Sequence, residues 1–249
     1  MTKLATLLST AVSALAVSLS AHAAPAGAVK NVVLVHGAFV DGSGWKAVAD
    51  ILTKDGYKVS IAQPPETSLD DDIAATKRLL DAQDGPTVLV GHSYGGAIIT
   101  GAGNHPKVKS LVYVAGFQPD VGESLGSLAG SKPPAGAPLK PSADGFLYID
   151  EAAFRADFAA DLPVAVTNFM ARSQVGLSVK AAGAPATAPA WKTHPSFAIV
   201  ATQDRSINPD LERTMYKRSK STTIEIPASH AVYMSHPAEV AALIEKAAN

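Results

Sequence analysis

A serine between closely spaced glycines is the first feature of this 249-residue sequence that could carry out chemistry. Residues 91–96 read GHSYGG; the apolar run before them predicts a strand and the residues after them predict a helix. In that setting Gly-x-Ser-x-Gly forms a sharp turn that exposes the serine hydroxyl above the sheet. Ser93 is therefore the candidate nucleophile. The alternative, a glycine-rich turn with an incidental serine, fits this position between strand and helix less well.

A base must remove the proton of a serine hydroxyl before it can attack, so a histidine is required nearby. Among the seven histidines, His230 follows the last strand candidate, at the carboxyl edge where the Ser93 turn also projects. The others lie in the N-terminal segment, in polar turns, beside Ser93, after the first strand candidate or at the start of the last helix. His230 is the predicted base; a surface-loop histidine is the alternative.

A carboxylate must orient that histidine. Asp204 ends the fifth strand candidate and lies between Ser93 and His230 in the sequence, which is the hydrolase order of serine, acid and histidine. Asp120, after the fourth strand candidate, is the second choice. Asp210 fits better as a favourable charge in the first turn of a helix.

Acyl transfer also creates a negatively charged oxygen, which fixed N–H donors must stabilise. The loop 36–39 can aim the amide of Ala38 at this oxygen, and Tyr94, the residue after the nucleophile, supplies a second amide. If the loop is rotated by one residue, the amide of Phe39 is the donor in place of the Ala38 amide. Phe39 and Trp191 are candidate walls of the substrate pocket, and ordinary core packing explains them equally well.

Composition excludes several other kinds of chemistry. The chain has no cysteine, so disulfides, thiolate metal sites and cysteine nucleophiles are absent. A net charge of -1 provides no basic surplus for binding nucleic acid. Residues 42–47 match a dinucleotide fingerprint, but no acidic residue follows in segment 59–64, so we expect no nucleotide cofactor. No pair of histidines has helix-face spacing, and we expect no metal.

The elements that must position these residues alternate between short apolar runs and amphipathic stretches. This alternation predicts an α/β protein with parallel strands joined by helices. Strands are predicted at 31–36, 58–62, 87–91, 110–115, 196–202 and 222–226, and helices at 45–54, 69–83, 95–103, 209–218 and 237–248.

Between the fourth and fifth strand candidates the alternation stops for residues 118–192. This segment is too long for an ordinary connection and predicts a small helical cap, with helices near 151–160 and 163–173. A disordered linker is the alternative, but its apolar side chains argue against it, and they predict a small, largely apolar substrate. These side chains are Phe146, Leu147, Tyr148, Phe154, Phe158, Phe169 and Met170.

The N-terminus has the pattern of a secretory signal. Lys3 precedes an apolar run from Leu4 to about Leu19, and small residues stand at the cleavage positions of segment 21–23. Serine and threonine interrupt the run, which is shorter than the roughly 20 apolar residues of a membrane span. We predict a signal peptide over 1–23, one domain over 24–249, a periplasmic or secreted location and no membrane partner.

Four motifs in order resemble the α/β-hydrolase superfamily: HGAFVDGSGW at 36–45, GHSYGG at 91–96, QDR at 203–205 and SH at 229–230. Within this superfamily the motifs resemble one branch, which holds small bacterial esterases, including pyrethroid-hydrolase-like proteins, together with plant methylesterases and hydroxynitrile lyases. The resemblance spans 30–249, with a loose match in the cap. The usual fold begins with two further strands. Only residues 24–30 separate the predicted signal peptide from the first strand candidate, which is too few for both, so we expect about six mainly parallel strands.

This resemblance implies a serine carboxylic-ester hydrolase that forms an acyl-enzyme on small, largely apolar esters with Ser93, His230 and Asp204. Hydroxynitrile lyases of the branch carry a lysine after the catalytic histidine, whereas Ala231 stands here, which favours hydrolysis. Hydroxynitrile-lyase-like, lactonase and perhydrolase activities are the alternatives on the same triad. A non-catalytic ligand-binding protein is a second class, and the presence of all three residue types argues against it. The sequence leaves the natural ester and the oligomeric state open.

Overall fold

The computed structural model describes residues 29–249, so the predicted signal peptide lies outside the described residues. Within that range no helix combines the length and the apolar character needed to cross a bilayer. Short 3-10 helices occur at Gly42–Trp45 and Ala190–Lys192. The strands and helices are, in chain order, β1 (Asn31–Val35), α1 (Lys46–Lys54), β2 (Lys58–Ala62), α2 (Leu69–Asp81), β3 (Thr87–His92), α3 (Tyr94–Ala102), β4 (Val108–Val114), α4 (Leu125–Ser131), β5 (Lys140–Pro141), β6 (Phe146–Tyr148), α5 (Glu151–Phe158), α6 (Val164–Arg172), β7 (Leu177–Ser178), α7 (Val179–Gly183), β8 (Ser196–Ala201), α8 (Pro209–Arg218), β9 (Thr222–Ile226), α9 (Val232–Ser235) and α10 (Pro237–Ala247).

The main sheet has six strands in the order β2-β1-β3-β4-β8-β9, and every neighbouring pair is parallel. All residues of β1 and β3 are buried, which explains their continuous apolar runs, because helices cover both faces of the sheet. The expected α/β-hydrolase architecture of about six parallel strands flanked by helices is confirmed.

Alternate residues of each strand build two core layers. Val33 packs with Leu80 of α2 and Ile98 of α3 on one face, whereas Val32 packs with Leu52 of α1 and Ile244 of α10 on the other. Successive side chains of a strand point to opposite faces, so one strand contributes to both layers.

Two helices begin where the sequence carries start signals. The side chain of Ser68 accepts a hydrogen bond from the amide of Asp71 at the start of α2. At the start of α8, the side chain of Asn208 accepts from the amide of Asp210, and Pro209 occupies the first turn. Such caps satisfy amide groups that have no partner inside the helix.

The cap between β4 and β8 contains more than the two helices that the sequence predicted. The structure adds α4, α7 and a three-stranded antiparallel sheet, β5-β6-β7. Strands of two or three residues are too short to produce a periodic sequence pattern, so only their pairing in the folded chain reveals them. The buried rings of Phe154 and Phe158 stack 5.1 Å apart and join the same core layer as α2 and α3. The cap therefore shares the core of the sheet.

Strands β3, β8 and β9 run in the same direction and end at the same edge of the sheet. The loops after parallel strands meet at this carboxyl edge, where α/β proteins bind their ligands. Ser93 follows β3, Asp204 follows β8 and His230 follows β9. Three side chains that are far apart in the sequence are thus delivered to one region.

Candidate active site

Ser93 occupies a strained turn between β3 and α3. Its backbone angles are φ 52° and ψ -122°, a conformation that non-glycine residues rarely adopt. Strain of this kind costs about 1–3 kcal/mol and persists only where the surroundings enforce it. The amides of Gly96 and Phe117 both donate to the Ser93 carbonyl oxygen, at 2.9 and 3.0 Å, and so hold the turn.

The glycines around Ser93 are required because backbone passes directly against them. A Cβ atom at Gly91 would lie 2.4 Å from the carbonyl oxygen of Gly95. At Gly95 it would lie 2.6 Å from the carbonyl oxygen of His36, and at Gly96 2.3 Å from that of Phe117. These distances are too short for a side chain, which is the physical basis of the GHSYGG motif.

His230 and Asp204 form a buried hydrogen-bonded pair. Nδ1 of His230 lies 2.5 Å from Oδ2 of Asp204, and both side chains are almost fully buried. The other carboxylate oxygen accepts from the amides of Ser206 and Ile207, at 2.7 and 2.8 Å. Asp204 is thus held in one orientation. Asp120, the second candidate from the sequence, forms an ion pair with Lys192 at 2.5 Å instead.

Ser93 and His230 open into one cavity of about 440 Å³ at the carboxyl edge. The predicted residues Ala38, Phe39 and Tyr94 also line this cavity. Its other walls are mainly apolar and come mostly from the cap, including Leu125, Pro133, Pro134, Leu139, Leu147, Ile149, Phe158 and Leu177. The size suits a small organic ligand.

The two predicted oxyanion donors are available for a ligand. Among residues 29–249, neither the amide of Ala38 nor that of Tyr94 has a hydrogen-bond partner. The amide of Phe39, the alternative donor, is occupied by the carbonyl oxygen of Val175 at 3.0 Å. A Cβ at Gly37 would lie 2.5 Å from the Cβ of Ser93, so this loop passes directly against the nucleophile.

Trp191 does not line this cavity. Its indole Nε1 donates to the carbonyl oxygen of Pro119 at 2.9 Å, and Lys192 and Arg218 lie over its ring. These contacts join the two ends of the cap, at the start after β4 and at the return before β8. The structure therefore places Trp191 in the packing between cap and core, the alternative that the sequence left open, and away from the proposed pocket wall.

His92 supports His230 from behind, a role that the sequence analysis missed. Its Nε2 donates to the carbonyl oxygen of His230 at 3.0 Å, and the two rings lie 4.6 Å apart. Burial, and the neighbouring His230, hold the pKa of His92 well below its usual value. Neutral His92 therefore helps to hold the His230 loop in position through this hydrogen bond. No local signal announces a contact across 138 residues.

Two buried carboxyl groups, those of Glu66 and Asp72, lie close to the oxyanion loop, and the sequence analysis did not identify them. Nδ1 of His36 lies 3.5 Å from Oε1 of Glu66, and burial raises the pKa of Glu66 to about 7. Asp72 accepts from the amide of Glu66 at 2.7 Å and from the hydroxyl of Tyr94 at 2.5 Å. Ala38 follows His36 by two residues, and Tyr94 bonds to Asp72. The residues of both oxyanion donors are therefore connected to one buried cluster.

A second carboxyl group lies behind Asp204. Glu212 of α8 is fully buried and accepts from the amide of Ala201 at 3.2 Å. Burial, and the nearby Asp204 carboxylate, hold the pKa of Glu212 well above its usual value. The raised pKa favours the protonated form of Glu212, which adds no second negative charge beside Asp204.

The glycines of the dinucleotide-like motif are explained by packing. A Cβ at Gly42 would lie 2.5 Å from Nε2 of Gln63, and one at Gly44 would lie 2.7 Å from the hydroxyl of Tyr233. Protein side chains fill the space beside this loop. Within the described residues, no cluster of three or more histidine, aspartate or glutamate side chains has the geometry to hold a metal ion.

The family of the chain follows from comparison with known proteins. Residues 32–243 match the alpha/beta hydrolase family. A curated relative, the carbendazim hydrolyzing esterase of Nocardioides sp. (strain SG-4G), is 37% identical over a match that covers 39% of this chain and 46% of the relative. The match thus spans less than half of that protein's length.

Solved structures share the fold over most of the chain. A pyrethroid hydrolase from Sphingobium faniae JZ-2 superposes with a TM-score of 0.73 at 24% identity, covering 88% of this chain and 96% of the other. Polyneuridine aldehyde esterase superposes with a TM-score of 0.76 at 18% identity, covering 89% and 100%. At these identities the likeness concerns the fold alone.

Proposed function

The chain belongs to the alpha/beta hydrolase family, and from that premise we propose that it is a serine carboxylic-ester hydrolase. One arrangement carries the proposal: Ser93 and His230 open into the same apolar cavity, and His230 is bonded through Nδ1 to Asp204. A carboxylate bonded at Nδ1 leaves Nε2 as the basic nitrogen, which is the nitrogen that a serine hydroxyl needs.

Acylation begins when the Ser93 oxygen attacks the ester carbonyl carbon while Nε2 of His230 takes the hydroxyl proton. The carbonyl oxygen becomes negatively charged and accepts hydrogen bonds from the amides of Ala38 and Tyr94. The carbon–oxygen bond to the alcohol then breaks, and His230 returns its proton to the leaving alkoxide. The products of this half-reaction are a free alcohol and an acyl group on Ser93.

Deacylation repeats these steps with water. His230 removes a proton from water, the resulting hydroxide attacks the acyl carbon, and the bond to Ser93 breaks as the serine oxygen regains a proton. Asp204 stabilises the imidazolium form of His230 in both half-reactions. No cofactor is needed for this balance.

The cavity supports the substrate class. Its walls are leucine, isoleucine, proline and phenylalanine side chains, and a volume of about 440 Å³ suits a small, largely apolar ester. Ala231, after His230, lacks the amine that assists hydroxynitrile cleavage in related lyases, and this favours hydrolysis.

The same proposal includes the cell location and the partners. The N-terminal pattern described above favours export to the periplasm or the medium, where the partner would be a small-molecule ester. Comparison of the masses of intracellular and exported protein tests this part, because removal of residues 1–23 shortens the chain to 226 residues.

A substrate panel tests the activity. It contains p-nitrophenyl esters of increasing chain length, aryl esters, lactones, carbendazim, a pyrethroid and mandelonitrile. We expect hydrolysis of short and medium apolar esters and a covalent organophosphate adduct on Ser93. Cyanide release without ester turnover would replace the proposal with a lyase. The absence of both turnover and adduct would favour a ligand-binding protein.

A further inference from the structure

A short piece of the cap contacts both loops that carry the acid and the base. This piece comprises residues 157–161, at the end of α5 and in the turn after it, and is called the clamp segment below. It belongs to the insertion between β4 and β8, whereas Asp204 and His230 belong to loops of the main sheet. Asp157 contacts the Asp204 loop, whereas Phe158 and Asp161 contact the His230 loop.

The first half binds the loop of Asp204. The carboxylate of Asp157 accepts from Nε of Arg205 at 2.9 Å, and its backbone carbonyl accepts from the hydroxyl of Ser206 at 2.8 Å. Arg205 and Ser206 are the two residues that follow Asp204. The amide of Ser206 in turn donates to Asp204. Movement of Asp157 would therefore be transmitted to the acid.

The second half binds the loop of His230 on both sides of the histidine. The carboxylate of Asp161 accepts from the amide of Ser229 at 3.0 Å and from its hydroxyl. The carbonyl oxygen of Phe158 accepts from the amide of Ala231 at 3.0 Å, and the Phe158 ring meets the His230 ring edge to face at 4.8 Å. The residues before and after His230 are thus both anchored to the cap.

The main sheet does not satisfy these amides. His230 lies in a turn beyond the end of β9, and buried N–H groups need an acceptor wherever the sheet ladder stops. The clamp segment supplies the acceptors at Ser229 and Ala231. Burial alone would raise the pKa of Asp161, but the hydrogen bonds from Ser229 hold it below its usual value, so Asp161 is a charged acceptor.

We propose that Asp157 and Asp161 of the clamp segment are positioning residues that set the geometry of the pair Asp204 and His230. The proposal rests on the function proposed above. Its physical basis is that a catalytic pair must be held to within about 0.5 Å of its productive geometry, and that sites carried on loops are less precise than sites carried on helices or strands. The cap is therefore part of the frame of the triad, in addition to forming the wall of the cavity.

Asp161→Ala tests the proposal against a matched control, Asp150→Ala, at the other end of α5. Asp150→Ala removes the side chain that caps the start of α5 and pairs with Lys140, without contact with either loop. Both variants weaken the cap, but only Asp161→Ala removes the support of His230. We expect kcat for p-nitrophenyl acetate to fall at least tenfold in Asp161→Ala with KM changed less than threefold, and to stay within twofold in Asp150→Ala.

A spectroscopic measurement separates this proposal from the proposed function. The short hydrogen bond between His230 and Asp204 should give a low-field proton resonance in the NMR spectrum, whether or not the protein hydrolyses esters. We expect this resonance to be broadened or lost in Asp161→Ala and kept in Asp150→Ala. If the wild type turned over no ester and the resonance still behaved in this way, the clamp would stand and the esterase proposal would fail.

Two milder variants keep the test decisive if Asp161→Ala does not fold. Asp161→Asn retains one acceptor oxygen for Ser229, and Ser229→Ala removes only the hydroxyl contact. Each should lower kcat by about threefold to tenfold at constant KM. A folded Asp161→Ala, or both milder variants, with wild-type kcat and an unchanged resonance would overturn the proposal.

Discussion

The amide of Phe39 donates to the carbonyl oxygen of Val175 at 3.0 Å, a contact that joins the loop after β1 to the cap just before β7. This contact occupies the amide that could have competed with Ala38 as an oxyanion donor. The cap thereby fixes the rotation of the loop and leaves the Ala38 amide free beside Ser93.

Gly37→Ala should force the oxyanion loop away from the nucleophile. The new Cβ would lie 2.5 Å from the Cβ of Ser93, so the loop must move and carry the Ala38 amide with it. We expect kcat for short esters to fall about 10²-fold, as for the loss of one oxyanion donor. Gly130→Ala in α4, where a Cβ meets no atom within 4 Å, is the control. Equal activity of the two variants would contradict the assignment.

Ser93→Ala should abolish ester turnover and leave the fold intact. The substitution removes one oxygen that makes no hydrogen bond within the described residues, so the free energy of unfolding should change little. Steady-state hydrolysis, denaturant unfolding and mass spectrometry after organophosphate treatment provide the measurements. An adduct that persists on the variant would mean that another residue is the nucleophile.

Asp204→Asn and Asp120→Asn should differ strongly. The first removes the charge that stabilises protonated His230, and kcat should fall about 10³- to 10⁴-fold, as when the acid of a serine-protease triad is replaced by its amide. The second affects only an ion pair with Lys192 and should leave kcat within twofold. Retained activity in Asp204→Asn together with a loss in Asp120→Asn would reverse the assignment of the acid.

Glu66→Gln should flatten the pH dependence of stability. Burial raises the pKa of Glu66 from 4.5 to about 7. Below pH 4.5 both the folded and the unfolded chain hold the proton; between pH 4.5 and 7 only the unfolded chain ionises, so stability falls as the pH rises. The wild type should lose up to about 3 kcal/mol relative to Glu66→Gln over this interval.

Denaturant unfolding of both proteins at pH 5 and pH 8 measures this difference. Charges far from Glu66 titrate equally in the two proteins and cancel in the comparison. A wild type that gained stability relative to the variant at pH 8 would show that Glu66 is ionised in the fold.

Arg205→Ala should change the selectivity for substrate size. The backbone carbonyl of Arg205 accepts from the amide of Gly136 at 2.8 Å, a contact that the substitution keeps. The guanidinium donates to the carbonyl oxygen of Ala135 at 2.9 Å and pairs with Asp157 at 2.9 Å, and these side-chain contacts hold the proline-rich loop that lines the cavity. Without this support we expect long-chain esters to gain relative to short ones by about fivefold in kcat/KM, since a partly exposed ion pair is worth about 1 kcal/mol.

Arg213→Ala provides the control for this prediction. Arg213 pairs with Asp210 and Glu225 on the surface of α8 and β9 and does not line the cavity. Its chain-length profile should match that of the wild type. An unchanged profile in Arg205→Ala would indicate that the loop keeps its position without this contact.

Features that depend only on neighbouring residues could be predicted from the amino-acid sequence. The GHSYGG turn, the alternation of strands with helices and the start of α8 at Pro209 all follow from local sterics and hydrogen bonding, and each lies where the pattern predicts it. The fold class follows as well, because continuous apolar strands joined by helices permit few arrangements. The order of Ser93, Asp204 and His230 indicated the site, because parallel strands end at one edge.

Tertiary structure decided between residues that are equivalent in the sequence. Asp204 rather than Asp120 bonds to His230, the Ala38 amide rather than that of Phe39 is free, and Trp191 packs away from the cavity. No sequence pattern predicted the contacts of Glu66 with His36 and of Asp161 with Ser229, or the short strands of the cap. Each depends on contacts between residues far apart in sequence, which carry no local periodicity and become visible only when the cap and the sheet have packed together.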